Sequence, residues 1–123
     1  MKKENGIFLI PATLNNSVTV DFIFDSGASE VLVSPEIVGI LLKRNTISEE
    51  DILEDGFYTI ADGSTVKMKR FMMKEIKIGN KIIKNVECSV ANDLYTDMLL
   101  GQSVLSKFGK YTFENNSQTL IIE

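Results

Sequence analysis

The stretch Asp25-Ser26-Gly27-Ala28-Ser29 interrupts an alternating apolar strand and sets an acid where that strand ends. An apolar strand delivers its terminal carboxyl group to the rim of a packed core. Shielding from water there favours the protonated form, which is how carboxyl groups become useful acids. The Ser26 hydroxyl can lock the turn with a hydrogen bond, and Gly27 lets another backbone or a ligand approach closely. Taken alone, Asp-Ser-Gly is also what a plain turn looks like. Its setting argues for more. Phe22-Ile23-Phe24 precedes it, small residues follow it, and a second apolar run into glycine, Met98-Leu99-Leu100-Gly101, comes later.

Composition limits the chemistry. The chain has 123 residues, no histidine and a single cysteine, Cys88. Ser–His–Asp and Cys–His hydrolases are excluded, as are His-ligated metal sites and an intrachain disulfide. Catalysis has to run on carboxylates, Lys, Tyr, Ser or Cys88, and neither a metal nor a cofactor is expected. Cys88 falls within a predicted strand and reads as core or edge filler. Met68, Met72, Met73 and Met98 read as packing. Hydrophobic residues at 44% and charged ones at 24% fit a folded globular chain, and the length fits one domain over residues 1–123.

A net charge of −4 argues against nucleic acid as the main partner. The charges are unevenly spread. Lys67, Lys69, Arg70, Lys74, Lys77, Lys81 and Lys84 crowd one stretch, while eight of the 17 acids lie between Glu30 and Asp62. Two readings stand open: a solvated, lysine-protected hairpin, or a surface for acidic peptide segments or anionic lipid. No apolar run reaches the ~20 residues that span a bilayer. Lys2-Lys3 before Ile7–Ile10 only faintly resembles a signal peptide, so a first strand is expected and the compartment stays unassigned.

Positioning the acid falls to a mainly β framework of about eight strands and two short helices. Ile7–Thr13 and Ser17–Phe24 form a hairpin across Asn15-Asn16, with Val18, Val20, Phe22 and Phe24 on one face. Ser34-Pro35-Glu36 starts a helix that runs to about Lys43 or Arg44, and Ser48-Glu49-Glu50-Asp51 suggests one helical turn. Phe57–Ala61 and Thr65–Arg70 flank Asp62-Gly63, a strong hairpin signal, and Lys74–Ile78 and Lys81–Val90 flank Gly79-Asn80. Gln102–Phe108 has helical spacing, with Gly109 as its cap. Tyr111–Glu114 and Thr119–Ile122 close the chain across Asn115-Asn116. The segments around Asp25 and Gly101 look like two halves of a weak strand–glycine–helix repeat, and only the first half carries an acid.

These segments resemble the aspartic proteases of retroviral type, in the single-lobed, retropepsin-like branch that also occurs in bacteria. "FIFDSGAS" is similar to that family's active-site segment, "YTIADGSTVKM" stands where its flap hairpin lies, and "MLLGQSVLSKFG" resembles its second signature. The resemblance covers Gly6 to the end of the chain. It implies a closed, barrel-like retropepsin fold and peptide or protein substrates. It also assigns roles: Asp25 as catalytic acid, Ser26 as the hydroxyl bracing two acid loops, and Gly27, Ala28 and Ser29 as cleft lining. Ala61, Asp62, Gly63 and Ser64 would form the flap tip. Leu99, Leu100 and Gly101 would support the acid loop from beneath. The chain departs from the retroviral pattern in having Ser26 for the commoner Thr, one glycine at the flap tip, and a longer stretch over Asn45–Gly56.

Hydrolysis by carboxylates needs one group to deprotonate water and one to polarise the carbonyl. One motif in a chain too short for two lobes therefore implies a two-fold homodimer. Two carboxylates about 3 Å apart repel by roughly 5 kcal/mol at an effective dielectric near 20, so such a pair shares one proton. Two rivals are a peptide-binding module of the same fold that does not cut, and an aspartyl phosphotransferase. The latter requires a second acid two residues after the first, where this chain has Gly27. Thr119–Ile122 is expected either as an edge that pairs with another copy or as an internal strand.

Overall fold

The computed structural model describes residues 2–4, 7–59, 62–92, 98–108, 111–114 and 119–122. Local chemistry sets the first turns. Ile7–Leu14 (β2) and Val18–Phe24 (β3) form the expected hairpin, and Asn15 and Asn16 both take positive φ (48° and 52°), as type I′ turns require. Along β3, Phe22 is buried, Val18, Val20 and Phe24 pack against the core, and Thr19 and Asp21 are exposed. That alternation matches the expected faces. Lys2–Glu4 (β1), which the sequence did not signal, pairs antiparallel with β2.

Val31–Val33 (β4) is a second strand that was not anticipated; three residues are too few to show a period. The first helix, Pro35–Lys43 (α1), starts where predicted. Ser34 caps it by accepting a hydrogen bond from the Ile37 N–H at 3.4 Å, and Ile37 and Leu41 form its buried stripe. A single 3-10 turn over Glu49–Asp51 follows.

The next hairpin differs from expectation in extent. Ile52–Thr59 (β5) begins five residues before the predicted Phe57, so much of the long stretch after α1 is itself strand. Thr59, the last described residue of this strand, pairs with Thr65, and the expected strand end at 60–61 lies outside the described residues. Thr65–Ile78 (β6) is one fourteen-residue strand where two were expected. Its buried side chains change parity from Phe71 and Met73 to Ile76 and Ile78. That change coincides with a change of neighbour, since β6 leaves β5 and pairs with β2 through Thr13↔Lys77 and Leu14↔Ile76. Period-2 reading breaks at such a bend, which is why the strand read as two pieces. Lys81–Val90 (β7) returns alongside it.

Leu99–Leu100 (β8) leads into a helix of only four residues, Gln102–Leu105 (α2), shorter than the predicted Gln102–Phe108. Beyond it, Lys107 and Phe108 bond back three residues to Val104 and Leu105, so the last turn is too tight to continue as α-helix. The expected cap Gly109 and the Asn115-Asn116 turn lie outside the described residues. Tyr111–Glu114 (β9) and Thr119–Ile122 (β10) pair as predicted. Of the two expectations for β10, the internal one holds: it lies between β9 and β1, meeting β1 at Lys2↔Thr119.

The ten strands described form one sheet in the order β5-β6-β7-β4-β8-β3-β2-β1-β10-β9, and the β6–β2 pairing joins six of them in a ring. Ile10, Leu14, Phe22, Leu41, Phe71, Met73 and Leu100, all fully buried, belong to one core. Cys88 is buried among them, and burial pushes its thiol pKa well up, so it is a packing residue and no nucleophile. The uneven charges meet each other in part. Lys67 pairs with Asp55 at 3.2 Å, Lys74 with Asp51 at 3.7 Å, and Arg70 with Glu30 and Glu87. Three of the seven crowded basic residues are thus answered within the chain.

Candidate active site

Asp25 is the first residue after β3 and is partly buried, as expected of an acid at the end of an apolar strand. Its position is set by β8, which lies between β3 and β4. β8 runs parallel to β3 through Ile23↔Leu99 and Phe24↔Leu100, and antiparallel to β4 through Leu32↔Leu99. The two halves of the weak repeat therefore meet side by side. The Asp25 N–H donates to the Leu100 carbonyl at 3.2 Å, so the acid's own backbone is an extension of that ladder.

The loop then folds on itself. Asp25 Oδ1 accepts a hydrogen bond from the Gly27 N–H at 3.0 Å, and the Ala28 N–H donates to the Asp25 carbonyl at 3.2 Å. Ser26, Gly27 and Ser29 are exposed, and Ala28 is partly buried. The start of α2 holds the loop from the other side. The Gln102 N–H donates to the Ala28 carbonyl at 2.8 Å and the Ser103 N–H to the Ser29 carbonyl at 2.9 Å. In addition, Gln102 Nε2 donates to the Ser26 carbonyl at 2.9 Å. Helix N–H groups that lack an intrahelical partner are thus satisfied by the acid loop.

Gly101 makes this approach possible. A Cβ there would lie 2.4 Å from the Glu30 carbonyl oxygen and 2.7 Å from that of Ala28, so any side chain would push the two segments apart. Leu100 is fully buried and Leu99 partly so. The three residues thus adjoin the acid loop. Asp62, Gly63 and Ser64 sit in the exposed turn between β5 and β6. There Asp62 Oδ1 accepts from the Ser64 N–H at 2.8 Å and the Ser64 hydroxyl at 2.6 Å, contacts that lower its pKa. Ala61, the fourth predicted residue of this turn, lies outside the described residues.

Sequence reasoning missed a polar cluster beside the loop. Glu30 Oε2 accepts hydrogen bonds from the Tyr58 hydroxyl at 2.9 Å and the Ser89 hydroxyl at 2.7 Å. Arg70 binds the same carboxylate side-on, with Nη2 at 2.8 Å from Oε1 and Nε at 3.4 Å from Oε2. Its Nη2 also reaches Glu87 at 2.7 Å. Burial acts to raise the Glu30 pKa, but the hydrogen bonds from Ser89, Arg70 and Tyr58, with the Arg70 charge, outweigh it and leave the group below its ordinary value. The available signal was faint: Arg70 alternates with Val66, Met68 and Met72 on the partly buried face of β6.

A cleft of ≈ 290 Å³ runs along this side of the loop. Gly27, Ala28, Ser29, Glu30, Tyr58 and Met68 are among its lining residues, so it lies between the acid loop and the β5–β6 arms. Among the described residues no cluster of His, Cys, Asp and Glu could hold a metal ion, and no helix is long and apolar enough to cross a membrane.

Residues 10–107 match the protein family described as "gag-polyprotein putative aspartyl protease". Among solved structures, the chain is similar to the crystal structure of a retropepsin-like aspartic protease from Rickettsia conorii. The match has 24% sequence identity and a TM-score of 0.69, and covers 99% of this chain and 93% of that one. A search of curated proteins returned no match.

Proposed function

We propose, from the premise that the chain belongs to the gag-polyprotein aspartyl protease family of retropepsin-like type, that it is an aspartic endopeptidase working as a two-fold homodimer. Each chain contributes one Asp25. Across the two-fold axis the paired carboxyl groups share a proton, because like charges at that range cannot both ionise. The ionised member takes a proton from water as that water attacks the peptide carbonyl. The protonated member donates to the carbonyl oxygen; as the intermediate collapses, the proton taken from water passes to the leaving amine and a hydroxyl proton returns to the other carboxylate, which restores the shared proton. Ser26 braces the two loops, Gly27 to Ser29 flank the bound peptide, and the turn that holds Asp62, Gly63 and Ser64 covers it as a flap.

The observation that carries this reading is the backbone pinning around Asp25. Leu100 accepts from the acid's own N–H, and Gln102 and Ser103 donate to the loop just beyond it. A carboxyl group held by two strands and a helix start is pre-organised, so little reorganisation is left for the reaction itself. A turn without a chemical task has no need of such support.

The test is peptide-library profiling of the purified protein at acid pH, with and without a statine-type transition-state mimic. Endopeptidase products that vanish with the mimic, and are absent from the Asp25→Asn variant, are the expected result. Binding of peptides without cleavage by the wild type would support the non-cutting module, and full cleavage by Asp25→Asn would remove Asp25 from the mechanism.

A further inference from the structure

Among the described residues, β5 pairs with β6 and stands at the end of the strand order. Its far end leads toward Asp62, Gly63 and Ser64, and Thr59 pairs there with Thr65 of β6, so the two strands carry that turn together. One side chain of β5 reaches across to the acid-loop side: Tyr58, whose hydroxyl meets both Glu30 and Ser89. Glu30 follows directly on the active-site loop and leads into β4. Its carboxylate therefore collects donors from β5 (Tyr58), β6 (Arg70) and β7 (Ser89) at once.

Two features mark the cluster as built for this contact. The β5–β6 register shifts between Leu53 and Gly56. At Gly56 a Cβ would lie 2.7 Å from both Arg70 Cδ and the Tyr58 hydroxyl, so this glycine leaves the space through which both side chains pass. The second feature is the charge pairing. Arg70 meets the Glu30 carboxylate through both Nη2 and Nε, while the Tyr58 and Ser89 hydroxyls lie 2.9 and 2.7 Å from Oε2, so an ionised Glu30 is the acceptor for donors from three strands.

We propose that Glu30 is a positioning residue: its carboxylate is the strut that ties the flap-bearing β5–β6 arm to the active-site loop and sets the closed height of the substrate channel. The role rests on the endopeptidase reading for its consequence in catalysis, and on the cluster's geometry alone for its mechanical part. Tyr58, Arg70 and Ser89 face it from β5, β6 and β7, Glu87 meets the far side of Arg70, and the buried Cys88 on the core side of β7 is the other titratable group that its charge reaches.

The experiment is amide hydrogen exchange on the full chain, wild type against Glu30→Gln and Tyr58→Phe, with steady-state kinetics alongside. Removing a hydrogen bond to a charged group commonly costs about tenfold or more in an equilibrium. Exchange over 57–59 and 65–68 is therefore expected to speed up about tenfold in both variants, while the core amides of Phe22 and Leu41 keep their protection. KM is expected to rise about as much, with kcat changed far less. Tyr58→Phe removes a single part-buried hydroxyl and keeps the test sharp if Glu30→Gln folds poorly. Equal loss of protection in arm and core would overturn the strut, as would an arm that exchanges at the wild-type rate. If the wild type cleaves no peptide, the endopeptidase reading falls while the exchange result still decides the strut.

Discussion

At the scale of single residues, the site depends on one acid, one glycine and one buried-edge carboxylate. Gly101 tolerates nothing larger, because a Cβ would sit 2.4 Å from backbone that cannot swing away. Gly101→Ala is expected to destabilise the fold by about 2 kcal/mol or more, in the range of overpacking changes, and to lower activity as well. Denaturant titration measures the first and peptide cleavage the second. Glu30 gives a pH prediction with a definite sign. Its folded-state pKa lies below the ordinary 4.5, so its contribution is present above that value and is lost as pH falls through the folded one. Thermal midpoints of wild type and Glu30→Gln, followed from about pH 7 to about pH 3, should converge on acidification. Asp25 was legible because its whole motif is contiguous in sequence. Glu30 was not, since its partners stand 28 to 59 residues away and nothing local marks them.

At the scale of elements, the arrangement turns on β8, two residues wedged between β3 and β4. Leu100 is the fully buried half of that wedge, and its carbonyl receives the Asp25 N–H. Leu100→Ala is expected to cost about 2 to 5 kcal/mol through the cavity it leaves. It should also reduce turnover more than a core truncation far from the loop, such as Leu41→Ala, at matched loss of stability; equal turnover in the two would remove the supporting role. The hairpins and the start of α1 could be read from sequence because turn residues and caps are local signals. β1 and β4 are too short to show a period. The length of β6 was hidden by its bend, where the buried face changes parity between Met73 and Ile76. The paired segments around Phe24 and Leu100 appeared as a repeat in sequence, and their direct pairing is what gives that repeat a purpose.

At the scale of the whole molecule, one chain carries one Asp25, and the chemistry proposed for it needs two carboxyl groups. Specific activity should therefore fall on dilution toward the dimer dissociation constant, a loss that a tight-binding statine mimic should offset by favouring the assembled state. The most direct measurement of the central claim is a mixing experiment. A fixed amount of wild-type chain is equilibrated with an equal amount of the Asp25→Asn chain, under conditions where subunits exchange, and peptide cleavage is followed. If every active site takes one Asp25 from each chain, random pairing leaves about half the original activity, and more of the variant lowers it further. Activity that stays constant however much Asp25→Asn chain is added would mean that a single chain cuts alone, and would contradict the account.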